Sequence, residues 1–196
     1  MWLIKFKLNK WKKKEIEYNL EWAKNQVLPE FLLFYGHYSK DNKITKSCLS
    51  QWWPCKFNAN GIVYNCAEQY MMSEKAKLFK DEETYQMILK ETSQNIIKSY
   101  GRKIKNFNDE VWNKNKVNIV VQGNILKFSQ NEDLKQFLIG TGDKILVEAS
   151  PTDKIWGIGL DQKNPDSRNP YKWRGENLLG FSLMKVRDII KNKYII

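Results

Sequence analysis

Apolar positions recur at three- and four-residue steps over most of the chain, which predicts helices; only short places carry strand-like density. Residues 67–79, AEQYMMSEKAKLF, repeat Ala67, Tyr70 or Met71, Glu74, Lys75 and Leu78 at helical spacing, in a composition that favours helix. Shorter helices are expected at 82–90, 93–100 and 134–138. A long one at 109–128 aligns Val117, Val121, Ile125 and Phe128 in one stripe. A last helix starts near Asn177, a good cap residue, with Leu179, Leu183, Val186 and Ile190 on one face. Phe31 to Phe34 reads as a short buried strand or turn, Ile145 to Val147 as a buried strand, and 57–64 as a hairpin around Asn60-Gly61. The rest of 36–65 reads as loops. No internal repeat or second boundary interrupts this order, so the pattern predicts a single α+β domain over 29–196, helix-rich with a small sheet.

Residues 1–28 read as an appended, mainly helical segment ended by Pro29. Lys5, Lys7, Lys10, Lys12, Lys13 and Lys14 precede the first acid, Glu15, and supply over half of a net charge of +11. Interleaved with Trp2, Phe6 and Trp11, they suit either contact with a nucleic-acid backbone or a solubilising helix that docks its aromatics; the lysine-rich composition of the whole chain favours the second. With 196 residues, 42% hydrophobic, eight Trp, nine Tyr and nine Phe, the chain carries enough apolar surface for a sizeable core. No run approaches the ~20 apolar residues of a membrane span, and the N-terminus lacks an export signal's apolar stretch and cleavage site. Cys48, Cys55 and Cys66, odd in number and without close pairs, point to reduced thiols and a cytoplasmic setting. Their spacing with His37 lacks the tight knuckle of a zinc site, so neither metal nor cofactor is expected.

The stretch TGDKILVEASPTDKIW at 141–156 gathers Asp143, Glu148, Asp153 and Trp156 around one apolar strand, and strand ends present reactive groups on a rigid base. Glu148 and Asp153 suit acid–base or charge-stabilising work on a glycosidic bond; ordinary turn chemistry for Asp153 is an equal reading. Glu68 and Lys75, two helical turns apart, share a face. A buried lysine there would be a free-amine nucleophile, although spacing alone favours an exposed lysine beside Glu74. Trp156 and Gly157, with Gly159, offer an indole beside flexible backbone that a phosphate can approach, and 173–177 puts Arg174 and Gly175 at a helix start. One histidine rules out a three-histidine metal site, and His37, far in sequence from any acid pair, is not read as a triad base; it reads first as a structural hydrogen-bonding group.

Taken in order, FYGH at 34–37, CLSQWWP at 48–54, AEQYMMSEKAKLF at 67–79, GR at 101–102, the Trp112 helix, TGDKILVEASPTDKIWGIGL at 141–160 and WRGENLLGFSLMKVR at 173–187 resemble the NADAR superfamily, also called YbiA-like. The resemblance implies a cleft for ADP-ribose or ribose-phosphate compounds and cleavage of an N-glycosidic bond to ribose. It implies two substrate classes: ADP-ribose on guanine of a nucleic acid, a modification with a toxin as its counterpart, or a ribosylamino-pyrimidine phosphate of riboflavin synthesis. The family's helix lysine, which captures ribose C1 as a Schiff-base-like adduct, falls on Lys75 and its glutamate on Glu68, reversing the reading from spacing. Glu148 and Asp153 complete the implied catalytic set. Phe34, Gly36, His37, Ser50, Trp52, Tyr70, Arg102, Trp112, Asp143, Trp156, Gly157 and Asn177 are the implied ligand-binding residues. A non-catalytic ADP-ribose or nucleic-acid reader is the rival from another class.

Overall fold

The computed structural model describes residues 16–193. The lysine-rich arm and most of the helix expected over 1–28 lie outside the described residues. Within them that segment forms only α1, Leu20–Lys24, capped by the Asn19 side chain on Trp22 N–H and finished well before Pro29.

β1 (Phe31–Phe34) and β4 (Ile145–Glu148) form a parallel pair in which Phe34 stands opposite Glu148. Parallel partners require a crossover, and here it contains most of the molecule. β2 (Phe57–Ala59) and β3 (Ile62–Tyr64) form the antiparallel hairpin, with Asn60 at φ 54° and Gly61 at φ 85°, the pair of positive values that a two-residue primed turn needs. The architecture is α+β, helix-rich with small sheets, as the periodicity predicts.

α2 (Ala67–Leu78) is buried on several sides, which explains why its sequence is only weakly amphipathic. It packs against α3 (Glu82–Lys90), α4 (Gln94–Gly101) and α5 (Asp109–Ser129). Its buried Gln69 accepts from Asn65 N–H and donates to Ile88, Leu89 and Glu91 carbonyls, so one amide ties the helix start to the end of α3. α6 (Glu132–Gly140) extends a turn further than the apolar run 134–138 predicts, because Glu132 and Asp133 favour a helix N-terminus. α7 (Leu178–Lys193) packs on β4 and α5, with Leu179, Leu183, Val186 and Ile190 in the core. Gly180 is required there, since a Cβ would stand 2.0 Å from the Leu146 carbonyl oxygen. Among the described residues no helix is long and apolar enough to cross a membrane.

Candidate active site

Five elements and two loop segments meet around a cavity of about 290 Å³, lined by 50–52, α2, the end of α4, Trp112 of α5, Glu148 at the end of β4, the loop through Asp153 to Trp156, and Leu179 of α7. Glu68, Met71, Met72 and Lys75 reach it from one face of α2, spaced by three, four and seven residues as helix geometry requires. Lys75 is half-buried, and its Nζ donates to the Gly101 carbonyl at 2.7 Å, 4.3 Å from the Phe107 ring centroid and 5.3 Å from that of Trp112. Glu74 pairs with Lys77 at 2.8 Å instead, so the lysine partnered by Glu74 is not Lys75. Burial lowers the Lys75 pKa, opposed by the charges of Asp109 and Glu68.

The two glutamates are the most perturbed acids of the site. Burial pushes Glu148 up to about 8, helped by the neighbouring charges of Asp153 and Glu68 and opposed by Lys98. Its Oε2 is buried with no hydrogen-bond partner, a costly arrangement unless that oxygen carries a proton or meets a ligand. Glu68 is 4% exposed, and burial raises it to about 7 against the pull of Lys98, the Trp52 hydrogen bond and Arg102. Asp153 reaches the same cavity, yet its Oδ1 accepts from Ile155 and Trp156 N–H at 2.9 and 2.8 Å. Turn capping and a place in the cavity are both true of it.

The structure thus brings together Lys75, Glu68, Glu148 and Asp153 with Ser50, Trp52, Arg102, Trp112 and Trp156. The remaining expected ligand residues lie elsewhere. Asp143 precedes β4 at the end opposite Glu148 and is fully exposed near Lys191. Tyr70 points off α2 at another angle, into Phe57, Tyr64 and the Cβ-free side of Gly123. Phe34 is a completely buried core residue in register with Glu148. Gly36 serves the turn after β1 with φ 78°, and His37 lies in a neighbouring depression with its ring 5.4 Å from that of Trp52.

Gly157 and Asn177 are structural supports of the cavity rather than its lining. A Cβ on Gly157 would stand 2.8 Å from the Glu148 carbonyl oxygen, so its close approach is to protein backbone, and Ile158 and Gly159 spend their N–H groups on Glu148 and Asp153 carbonyls. Asn177 is completely buried at φ 55°; its Oδ1 accepts from Glu148 N–H and its Nδ2 donates to the Leu146 carbonyl, both at 2.9 Å. It therefore sets the position of Glu148 from behind. Lys98 is the cavity residue that sequence reasoning missed: its Nζ stands 5.5 Å from the Trp52 ring centroid and its charge acts on both glutamates. Its signal was no more than a lysine on an amphipathic helix face. Among the described residues no group of three or more His, Cys, Asp or Glu is arranged to hold a metal ion.

Comparison with known proteins places the chain. The NADAR domain pattern matches residues 34–191. The chain is 45% identical over 164 residues to N-glycosidase R617 of Acanthamoeba polyphaga mimivirus, covering 81% of this chain and 95% of that one. It is 42% identical over 129 residues to Protein irg-1 of Caenorhabditis elegans, covering 65% and 61%. The NMR structure of Escherichia coli YbiA superposes with a TM-score of 0.67 at 20% identity, over 88% of this chain and 94% of that one, which shows the same fold.

Proposed function

The chain belongs to the NADAR family, and from that premise we propose that it is an N-glycosidase that hydrolyses the bond between ribose C1 and a base, with ADP-ribosylated guanine in a nucleic acid as its substrate. The observation that carries this reading is Glu148: a buried carboxyl with an unpartnered oxygen, raised to about 8 and so protonated at neutral pH, in one cavity with the Lys75 amine. Its proton goes to the departing base as the C1–N electron pair leaves. Asp153, joined by the ionised fraction of Glu68, which is raised to about 7, stabilises the positive charge that develops on the ribosyl carbon. Lys75, its amine favoured by burial, forms the new bond to C1; its proton passes to the ring oxygen as the ring opens to an imine, and water hydrolyses the imine, releasing ADP-ribose and restoring the amine.

The substrate assignment is supported by the surroundings. A cavity of about 290 Å³ takes a sugar with part of a base and leaves the remainder of a larger ligand outside. Lys98 and Arg102 line it with Trp52 and Trp156, and Phe107 and Ile155 are exposed beside it, so phosphates and rings both find partners. The name of R617, an N-glycosidase, agrees with the reaction class. The test is mass-spectrometric detection of free ADP-ribose after incubation with a guanine-ADP-ribosylated oligonucleotide, with a ribosylamino-pyrimidine phosphate in parallel. Release from the oligonucleotide is expected. Hydrolysis of the pyrimidine alone transfers the activity to small metabolites, and binding without product from either makes the protein a reader.

A further inference from the structure

Lys127 lies on α5, is completely buried, and lines none of the cavity described above. Burying an ammonium costs several kcal/mol, and evolution usually either pairs it with a carboxylate or replaces it by an apolar chain of the same length. Neither has happened. Among the described residues Lys127 has no ion pair; the ionisable groups around it are the thiols of Cys48, Cys55 and Cys66, and burial pushes those of Cys48 and Cys66 up to about 12, so they remain neutral.

Its Nζ instead donates to two main-chain carbonyls, of Cys48 at 2.7 Å and of Ser50 at 2.8 Å. They flank the end of the 3₁₀ turn Lys46–Leu49, where the chain enters the segment 50–52 that lines the cavity. From there three bonds reach the site. Ser50 Oγ accepts from Asp153 N–H at 3.2 Å and from Trp52 N–H at 3.1 Å, and the Gln51 carbonyl accepts from Glu68 N–H at 2.9 Å. One ammonium thus holds the segment to which the Asp153 loop and the start of α2 are both attached.

We propose that Lys127 is a positioning residue of the active site: its Nζ, donating to two main-chain carbonyls, fixes the segment 48–52 so that Ser50 clamps the Asp153 loop against the cavity. The inference takes the cavity as the reaction site, and its test reads a carboxyl group instead of turnover, so it stands or falls separately from the substrate assignment. The groups that act on Glu148 are Asp153 and Glu68, which raise it, and Lys98, which lowers it. If the Asp153 loop comes loose, the first of these recedes and Glu148 titrates at lower pH.

The experiment follows the Glu148 carboxyl by ¹³C NMR in the full chain, its signal identified by its loss in Glu148→Gln. The wild-type midpoint is expected near 8. Lys127→Met keeps the length and removes the charge, and it should move the midpoint down by about one pH unit, the effect of moving one carboxylate away from another. Ser50→Ala, cutting the next link, should shift it in the same direction, and the double variant no further. Lys127→Gln, which keeps a donor for one carbonyl, provides a milder lesion should Lys127→Met not fold, and an intermediate shift is expected. Ile88→Val, a core truncation in α3, should lower the melting temperature and leave the midpoint unchanged. A Lys127 variant that loses stability while Glu148 titrates as in wild type overturns the proposal and reduces the lysine to a core strut.

Discussion

Replacement of Asn177 by alanine should destabilise the protein far more than a ligand-contact residue would. Two buried backbone groups lose their partners, Glu148 N–H and the Leu146 carbonyl. Each costs about 1–3 kcal/mol when orphaned. Alanine at φ 55° adds about 1 kcal/mol, since it keeps the Cβ that crowds the following carbonyl and loses the short polar side chain that makes asparagine tolerant of this conformation. The total is about 3–7 kcal/mol, and for a chain of this size each kcal/mol lowers the melting temperature by roughly 2–4 °C. Urea denaturation and thermal melting of Asn177→Ala and Asn177→Gly measure it. Glycine tolerates the backbone angle, so the difference of about 1 kcal/mol between the two variants isolates the conformational part from the lost hydrogen bonds. An alanine variant within about 1 kcal/mol of wild type would refute the assignment of Asn177 as the support of Glu148.

Glu148 and Glu68, raised to about 8 and 7, keep their protons in the native state where the unfolded chain has already released them. Their stabilisation is therefore complete below about pH 4.5 and is lost as pH rises toward 8, and Glu148→Gln should flatten that decline by about 1–3 kcal/mol between pH 5.5 and 8.5; a slope unchanged in the variant would exclude a buried, protonated Glu148. Gly180→Ala should fail to fold or lose several kcal/mol because its Cβ meets the Leu146 carbonyl, whereas Gly61→Ala, with open space around it but φ 85°, should cost only about 1 kcal/mol in urea denaturation. Lys75→Ala should leave the circular dichroism spectrum intact and remove turnover at least a hundredfold; retained turnover would take the amine out of the chemistry.

Helices and strands were legible because their apolar positions follow the period of the element, and the hairpin because Asn60-Gly61 fits only one kind of turn. Of the N-terminal segment, α1 at Leu20–Lys24 is described, and the lysine-rich arm lies outside the described residues. In the site, a seven-residue spacing put Glu68 and Lys75 on one face, but only the family resemblance turned Lys75 inward, and Glu148 was readable from its place at a strand end. Asp143 reads the same way because the two ends of a strand look alike in sequence, yet it stands before the other end of β4, exposed and outside the cavity. Gly157 and Asn177 resemble ligand contacts because tight backbone approach and a special φ serve protein packing and phosphate binding equally. Lys98 and Lys127 were invisible, as nothing in a lysine-rich chain tells which lysine is drawn inward by Trp52 or by two carbonyls.

The central claim is that the Lys75 amine bonds to ribose C1 in a cavity where Glu148 supplies the proton. Borohydride added during incubation with a guanine-ADP-ribosylated oligonucleotide reduces an imine to a stable amine, and peptide mass spectrometry then locates it. The account predicts an ADP-ribosyl adduct on the peptide containing Lys75, no adduct in Lys75→Ala, and accumulation that stops in Glu148→Gln. Release of ADP-ribose by a Lys75→Ala variant, with no adduct on the wild-type chain, would contradict it.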